Sequence, residues 1–339
     1  LRRIVNREQK PPVVVVGNLV AGGSGKTPLV IALARQLSAK DLKLALLCSG
    51  YGGHRKGLLD LRQYAVPTHA WQDGWSDEAV LMAMQTGALV AVGADRNWAL
   101  SQCLQADPRP DLIIADDGLQ HQGLERALEV LMIDARGLGN RRCLPAGPLR
   151  ESLKDRPPSD WAVFRGRAEE AVTEAGVSSA NLGFDGAEPG QLAKSWVTLK
   201  EGESTVMAYS DWIARSAQTT RLSDFAVLFR GRKMLGIAGI SQPDVIAAHC
   251  ARFGLDVHWL LPGDHRALKL EPAMLGSFEA IVMTAKDAVK YGELPIPVYV
   301  LVQTVIAPEA LCLELERIAH GPSTIRNPCL PDLQKQLTS

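Results

Sequence analysis

The sequence predicts an α/β protein built on a parallel sheet, with a second, smaller α/β unit toward the C terminus. Short aliphatic, β-branched runs alternate with stretches of helical spacing, the pattern of strands joined by crossover helices. The first run, Val13-Val14-Val15-Val16 after Pro11-Pro12, is apolar without alternation, as a strand buried on both faces requires. At 339 residues the chain also exceeds what one hydrophobic core usually organises, so two domains are expected.

Taken in order, strands are predicted at 13–16, 43–48, 89–93, 112–115, 128–133 and 161–164, with helices at 28–37, 79–85 and 95–104. Residues 171–229 hold two strand-like runs, 196–199 and 205–209, among many small polar residues, and are expected to connect the two units. Periodicity resumes with strands at 234–238, 257–261, 280–284 and 298–302 and helices at 242–253 and 308–318. The resulting division is 1–190, a connection at 191–230, a smaller domain at 231–320, and a loose tail at 321–339 containing Pro322, Pro328 and Pro331.

Hydrophobic residues make up 46% and charged residues 22%, which argues against disorder. Lys plus Arg and Asp plus Glu both total 37, so no basic field announces nucleic acid, and an anionic ligand must be held locally. The six cysteines form no C-x-x-C pair and no histidines join them at zinc spacing, which points to reduced thiols in a cytosolic protein. No apolar run reaches the roughly 18 residues of a membrane span. Arg2, Arg3, Arg7 and Lys10 crowd the first ten residues, and a start at Leu1 rather than Met is compatible with a preceding segment or anchor.

Between the first strand and first helix lies Gly17-Asn18-Leu19-Val20-Ala21-Gly22-Gly23-Ser24-Gly25-Lys26-Thr27-Pro28. The strict G-x-x-x-x-G-K-[ST] spacing puts a glycine at position 20, where Val20 stands. The physics of a phosphate loop survives. Gly22, Gly23 and Gly25 let the backbone approach oxygen atoms, and with Ser24 they open a helix whose amides point at an anion. Lys26 is placed for the β- and γ-phosphates of a nucleotide, and the Thr27 hydroxyl for magnesium. A dinucleotide site is disfavoured because G-x-G-x-x-G is absent.

Leu112-Ile113-Ile114-Ala115-Asp116-Asp117 is an apolar run ending in two carboxylates, both candidates for the metal site. It continues into Gly118-Leu119-Gln120-His121, setting a histidine at the same sheet edge. Ser76-Asp77-Glu78 precedes a helix and fits an N-terminal cap, yet it also offers a carboxylate to accept a hydroxyl proton. Asp264-His265 follows the strand at 257–261, where open α/β sheets place ligands. Lys286 and Asp287 are adjacent, so Thr284-Ala285-Lys286-Asp287 does not fit guanine recognition.

Together these segments resemble the tetraacyldisaccharide 4'-kinase family of lipid A biosynthesis. The resemblance rests on the glycine loop, Gly50-Tyr51-Gly52-Gly53, Asp77-Glu78, Asp116-Asp117-Gly118-Leu119-Gln120-His121, Leu144-Pro145-Ala146-Gly147-Pro148-Leu149-Arg150-Glu151, Ala238-Gly239-Ile240, Asp264-His265, and Met283-Thr284 with Lys286-Asp287-Ala288-Val289-Lys290. It implies a P-loop kinase that uses ATP and Mg2+ to phosphorylate an acylated disaccharide-1-phosphate at the cytoplasmic face of the bacterial inner membrane, as a peripheral protein with no obligate protein partner. It further implies that Asp77 and His265 form the catalytic pair with Lys26, that Thr27, Glu78, Asp116 and Asp117 serve the metal, and that Arg150 steadies phosphate. Asp77 and His265 fall in the first and last domains of the division above, so their meeting is expected to require the two to close. Departures from the family pattern stand at Ser49 (Arg), Ser76 (Gly), Ala285 (Glu), Gln122, and Ala127 or Leu128. Two other functions stay open at this point: a P-loop switch or metallochaperone-type NTPase, which would hydrolyse nucleotide with a protein partner and no acceptor alcohol, and a relative that binds ATP without transferring phosphate.

Overall fold

The computed structural model describes residues 10–121, 123–154, 156–165, 172–173, 176–177, 192–240 and 242–321. Its strands are β1 (Val13–Gly17), β2 (Leu44–Cys48), β3 (Gly57–Leu59), β4 (Leu89–Val92), β5 (Leu112–Asp116), β6 (Leu128–Asp134), β7 (Ser159–Arg165), β8 (Val172–Thr173), β9 (Gly176–Val177), β10 (Ala193–Ala208), β11 (Thr220–Arg221), β12 (Lys233–Ile237), β13 (Asp256–Leu260), β14 (Ala280–Thr284) and β15 (Val298–Ile306). The α-helices are α1 (Lys26–Ser38), α2 (Pro67–Gln72), α3 (Asp77–Thr86), α4 (Arg96–Leu104), α5 (Tyr209–Ile213), α6 (Leu222–Leu228), α7 (Pro243–Arg252), α8 (Pro272–Leu275), α9 (Ala285–Ala288) and α10 (Glu309–His320). The chain gathers into two compact units, one of Leu1–Leu47, Asp95–Lys200 and Ile306–Ser339, the other of Cys48–Ala94 and Glu201–Val305.

In the first unit the strands run parallel in the order β2-β5-β1-β6-β7-β10, the last with its opening residues. Val13 to Val16 are buried throughout, which explains their unbroken apolar run: helices cover both faces of a parallel sheet. Helix α1 turns Leu29, Val30, Leu33, Ala34 and Leu37 inward at helical spacing, the leucines and the valine contributing about 1.5–3 kcal/mol of burial each. At its far end Lys40 Nζ donates to Glu316 Oε2 of α10 at 2.6 Å. The β1–α1 junction, at the carboxyl edge of the central strand, is where this sheet leaves room for a ligand.

In the second unit β13-β12-β14-β15 form a parallel sheet, while β3 and β4 pair antiparallel. Its core joins Phe225, Met234, Ile246, Ala280, Val282 and Leu301. The runs expected at 196–199 and 205–209 join in one strand, β10, except for Tyr209, which opens α5; the strand's middle is polar and largely half-buried or exposed, with no apolar signal of its own. Helix α6, in the span expected to be a connection, buries Leu222, Phe225 and Ala226. Among the described residues no helix is long and apolar enough to cross a membrane.

Candidate active site

The glycine loop adopts the backbone that its composition demands. Gly22 and Gly25 have φ of +94° and +86°, a left-handed conformation that side chains resist, and a Cβ built on Gly25 would fall 2.5 Å from Arg165 Nη1. Val20 needs no such freedom: it keeps a negative φ and forms a β-bridge with Leu149, so a glycine is dispensable there. The segment around Arg150 buttresses the loop, with Ala21 N donating to Pro148 O and Arg150 N to Leu19 O, both at 2.8 Å. Ser24 Oγ is buried without a hydrogen-bond partner among the described residues.

Helix α1 starts directly after Gly25 with no side-chain cap and no acidic residue in its first turn. Its first amides are thus left for an anion, with the helix dipole behind them. Lys26, 9% exposed, donates to Asn18 Oδ1 at 2.8 Å and stands 3.4 Å from Asp117 Oδ1. Thr27 Oγ1 donates to Asp116 Oδ2 at 2.7 Å, setting a hydroxyl beside a carboxylate at the end of β5. That hard-oxygen donor set suits magnesium, which takes few protein ligands alongside phosphate and water. The uncapped helix start, the paired glycines and Lys26 likewise fit a nucleotide triphosphate.

Asp117 sits at φ +52° and takes two contacts from Arg150 Nη1, at 2.8 and 2.9 Å. Burial by itself raises the Asp117 carboxyl, but Lys26 and Arg150 outweigh it and hold the group below the usual carboxylate range. Arg96, expected only as part of a helix, is buried at the start of α4 and donates to Asp116 O at 3.0 Å, fixing the acidic turn from behind. Arg136 reaches the loop from after β6, donating to Gly23 O at 2.9 Å. Neither arginine lies in a motif, so no sequence signal marked them. His121, at the same edge, is pulled below the ordinary histidine range by burial and then by Arg96. Gln122 lies outside the described residues.

The second unit holds a separate polar centre. Ser76 is the N-cap of α3, its Oγ accepting from Ala79 N at 3.3 Å, so the capping expectation is met by the serine. Asp77 is then free to turn inward. It is 2% exposed, and its Oδ1 lies 2.8 Å from His265 Nδ1 and accepts from Glu78 N at 2.8 Å. Burial would raise the Asp77 carboxyl; the hydrogen bond from His265 and the nearby Lys286 and Lys290 prevail and lower it. Both members of the pair belong to one compact unit, so the expected closure of two domains is not what brings them together.

The Gly50-Tyr51-Gly52-Gly53 block forms the floor of this centre. Gly52 has φ +82°, and a Cβ on it would fall 2.6 Å from His265 Cβ; one on Gly53 would fall 2.6 Å from Ser76 N. The Tyr51 ring meets the His265 ring edge-on at 5.0 Å, while Ser49 Oγ, where the family pattern has arginine, accepts from Tyr51 N at 3.2 Å. His265 itself sits at φ +62°, an uncommon conformation for a non-glycine residue. Lys286 bridges Glu78 Oε1 at 3.1 Å and Asp264 Oδ1 at 2.8 Å. Nothing in the structure explains Ala285 in place of glutamate. Among the described residues no three His, Cys, Asp or Glu side chains cluster as a metal site; Glu78 faces Lys286 while Asp116 faces Thr27.

A glycine loop opening a helix from a central parallel strand, with Lys26, Thr27 and an acidic strand end beside it, defines a P-loop nucleotide-binding protein. Comparison with known proteins narrows the class. The family model LpxK, described as Tetraacyldisaccharide-1-P 4'-kinase, matches residues 2–318, and the chain belongs to that family. A Tetraacyldisaccharide 4'-kinase of Methylibium petroleiphilum is 36% identical over 279 residues, covering 82% of this chain and 70% of the relative. One from Aromatoleum aromaticum is 34% identical over 323 residues, covering 92% and 85% respectively. Among solved structures, LpxK from Aquifex aeolicus in complex with ATP superposes with a TM-score of 0.66 at 25% identity, covering 91% of this chain and 89% of that one.

Proposed function

We propose that this chain transfers the γ-phosphate of ATP to the 4'-hydroxyl of a tetraacyldisaccharide-1-phosphate. The observation that carries this is the family match along residues 2–318, on a chain whose own loop presents Lys26 and Thr27 at an uncapped helix start. Lys26 is the cation for the β- and γ-phosphate oxygens, and Thr27 and Asp116 would hold magnesium, with Asp117 as a further carboxylate beside them; Glu78, which the family resemblance also implies for the metal, faces Lys286 in the other unit. Magnesium when bound supplies charge neutralisation on the phosphate oxygens. Arg150 fixes Asp117 and lends a second cation beside the loop.

In the transfer, the acceptor O–H bond breaks as its oxygen bonds to phosphorus, and ADP leaves with the electron pair of the old P–O bond. The proton passes to the Asp77–His265 pair. Asp77 Oδ1 already accepts from Glu78 N, and its Oδ2 faces Lys290, so Nδ1 of His265 is read as the donor to Oδ1. That leaves Nε2 of His265, which stands 3.4 Å from Asp264 Oδ2, as the proton-accepting atom, with Asp77 orienting the ring and both carboxylates stabilising the imidazolium.

An acylated acceptor is presented from a lipid surface, so the protein works as a peripheral protein on the cytoplasmic face of the inner membrane. The basic residues Arg2, Arg3, Arg7 and Lys10 support this, at about 1 kcal/mol for each one placed near anionic headgroups. The test is transfer of labelled phosphate from ATP to a tetraacylated disaccharide-1-phosphate in detergent. Acceptor-dependent labelling is the expected result; ATP hydrolysis indifferent to the acceptor would return the chain to the switch class, and equal activity on a deacylated disaccharide would contradict the lipid surface.

A further inference from the structure

Lys290 lies outside every motif with an assigned role, three residues past Asp287, and is 3% exposed. Its Nζ stands 3.2 Å from Asp77 Oδ2, 3.0 Å from Asp287 Oδ1 and 3.4 Å from Arg266 O. An ammonium carries three N–H donors, and here three acceptors surround it. Asp287, 0% exposed, is anchored in turn: its Oδ2 accepts from Gly239 N at 2.9 Å and from Thr284 Oγ1 at 2.6 Å. A rigid chain of polar contacts thus runs from the backbone after β12 and the end of β14 through Asp287 and Lys290 to Asp77. Lys286, the other lysine of the segment, instead faces Glu78 and Asp264.

We infer that Lys290 is a positioning residue for the proton-accepting pair: held by Asp287, it fixes the rotation of the Asp77 carboxylate that presents Oδ1 to His265. The inference rests on the reading of Asp77 and His265 given above. Among the described residues no well-aligned hydrogen bond reaches Asp77 Oδ2, so the ion pair with Lys290 is what restrains that oxygen. Were the carboxylate to rotate, Oδ1 would leave Nδ1 of His265. The same ammonium touches the carbonyl of Arg266, next to His265, so it ties the carboxylate to the loop that carries the ring. An ion pair this buried contributes little net stability over an apolar replacement, which leaves orientation as the reason to keep it.

The experiment is a cycle of Lys290→Met with Asp77→Ala, read as labelled-phosphate transfer on folded protein checked by circular dichroism and thermal melting. With Asp77 present, Lys290→Met is expected to lower kcat by about tenfold or more, a part of the roughly 10²–10⁴-fold such pairs supply, and to leave the KM for ATP within about twofold. In the Asp77→Ala background the same substitution should change kcat by less than about twofold, because its effect runs through the carboxylate. Equal losses in both backgrounds, or parental kcat in Lys290→Met, would overturn the inference. Should Lys290→Met not fold at the assay temperature, Asp287→Asn, which keeps the lysine charge and loosens its anchor, carries the same cycle with the same deciding outcomes. Parental kcat in Asp77→Ala would remove the pair itself, whereas an impaired Asp77→Ala with additive Lys290→Met losses removes only the role of Lys290.

Discussion

The phosphate loop and the Asp77–His265 centre solve different problems with different materials. The loop is contiguous, from Asn18 to Thr27, and presents backbone amides that glycine geometry exposes. The second centre is assembled from side chains 188 residues apart in sequence, seated on glycines from a third segment and braced by lysines from a fourth. A main-chain site is expected to tolerate substitution wherever φ stays ordinary, as at Val20. A side-chain site depends on each group that orients another, and has no such slack.

That contrast is sharpest at Lys26, where the loop does rely on a side chain. Lys26→Ala is expected to lower kcat by roughly 10³-fold or more, since its ammonium neutralises charge as the phosphate bond breaks; parental kcat would remove the phosphate-loop assignment. Next in size, Asp116→Asn should raise the magnesium concentration for half-maximal rate by about 10–100-fold, the usual effect of disturbing a metal site. Magnesium titrations that overlay the parent would place the metal elsewhere.

A smaller effect concerns acid stability. The Asp77 carboxyl is lowered in the folded chain, so its contribution is fully present above the unfolded value of about 3.9 and is lost as pH falls through the folded one. Melting temperature should therefore fall more steeply on acidification below about pH 4 in the parent than in Asp77→Asn. Identical slopes would mean that the carboxylate gains nothing from its partners. The smallest effect is expected at Val20→Gly, which restores the strict glycine spacing: kcat within about twofold of the parent and a stability loss of about 1–2 kcal/mol from lost burial and added chain entropy. A large gain in kcat would show that the loop does need glycine there.

Much of the fold was legible because parallel strands announce themselves as apolar runs. The strands from Val13, Leu112 and Ala280 begin where periodicity placed them, and the loop between β1 and α1 carried its chemistry in consecutive residues. Helix α6 and the polar middle of β10 were not legible, since neither has a clean hydrophobic period and tertiary packing decides them. In the site, Ser76-Asp77-Glu78 read both as a helix cap and as a source of a proton-accepting carboxylate, and only the fold separates the capping serine from the inward aspartate. Arg96 and Arg136 carried no local signal, because a lone charged residue in sequence looks like a solvated one until its burial is known, and Lys290 stood inside a family block without anything to say what it does.

The division of labour between the two centres is tested most directly by acceptor-dependent phosphate transfer in Asp77→Ala, His265→Ala and the double variant, each with its KM for ATP. Each single variant should lose about two orders of magnitude or more in kcat while its KM for ATP stays near that of the parent, because the nucleotide is held by the loop. The double variant should be scarcely worse than the poorer single one, as residues acting as a unit are strongly non-additive. Fully multiplicative losses, or an Asp77→Ala enzyme with parental kcat, would contradict the account.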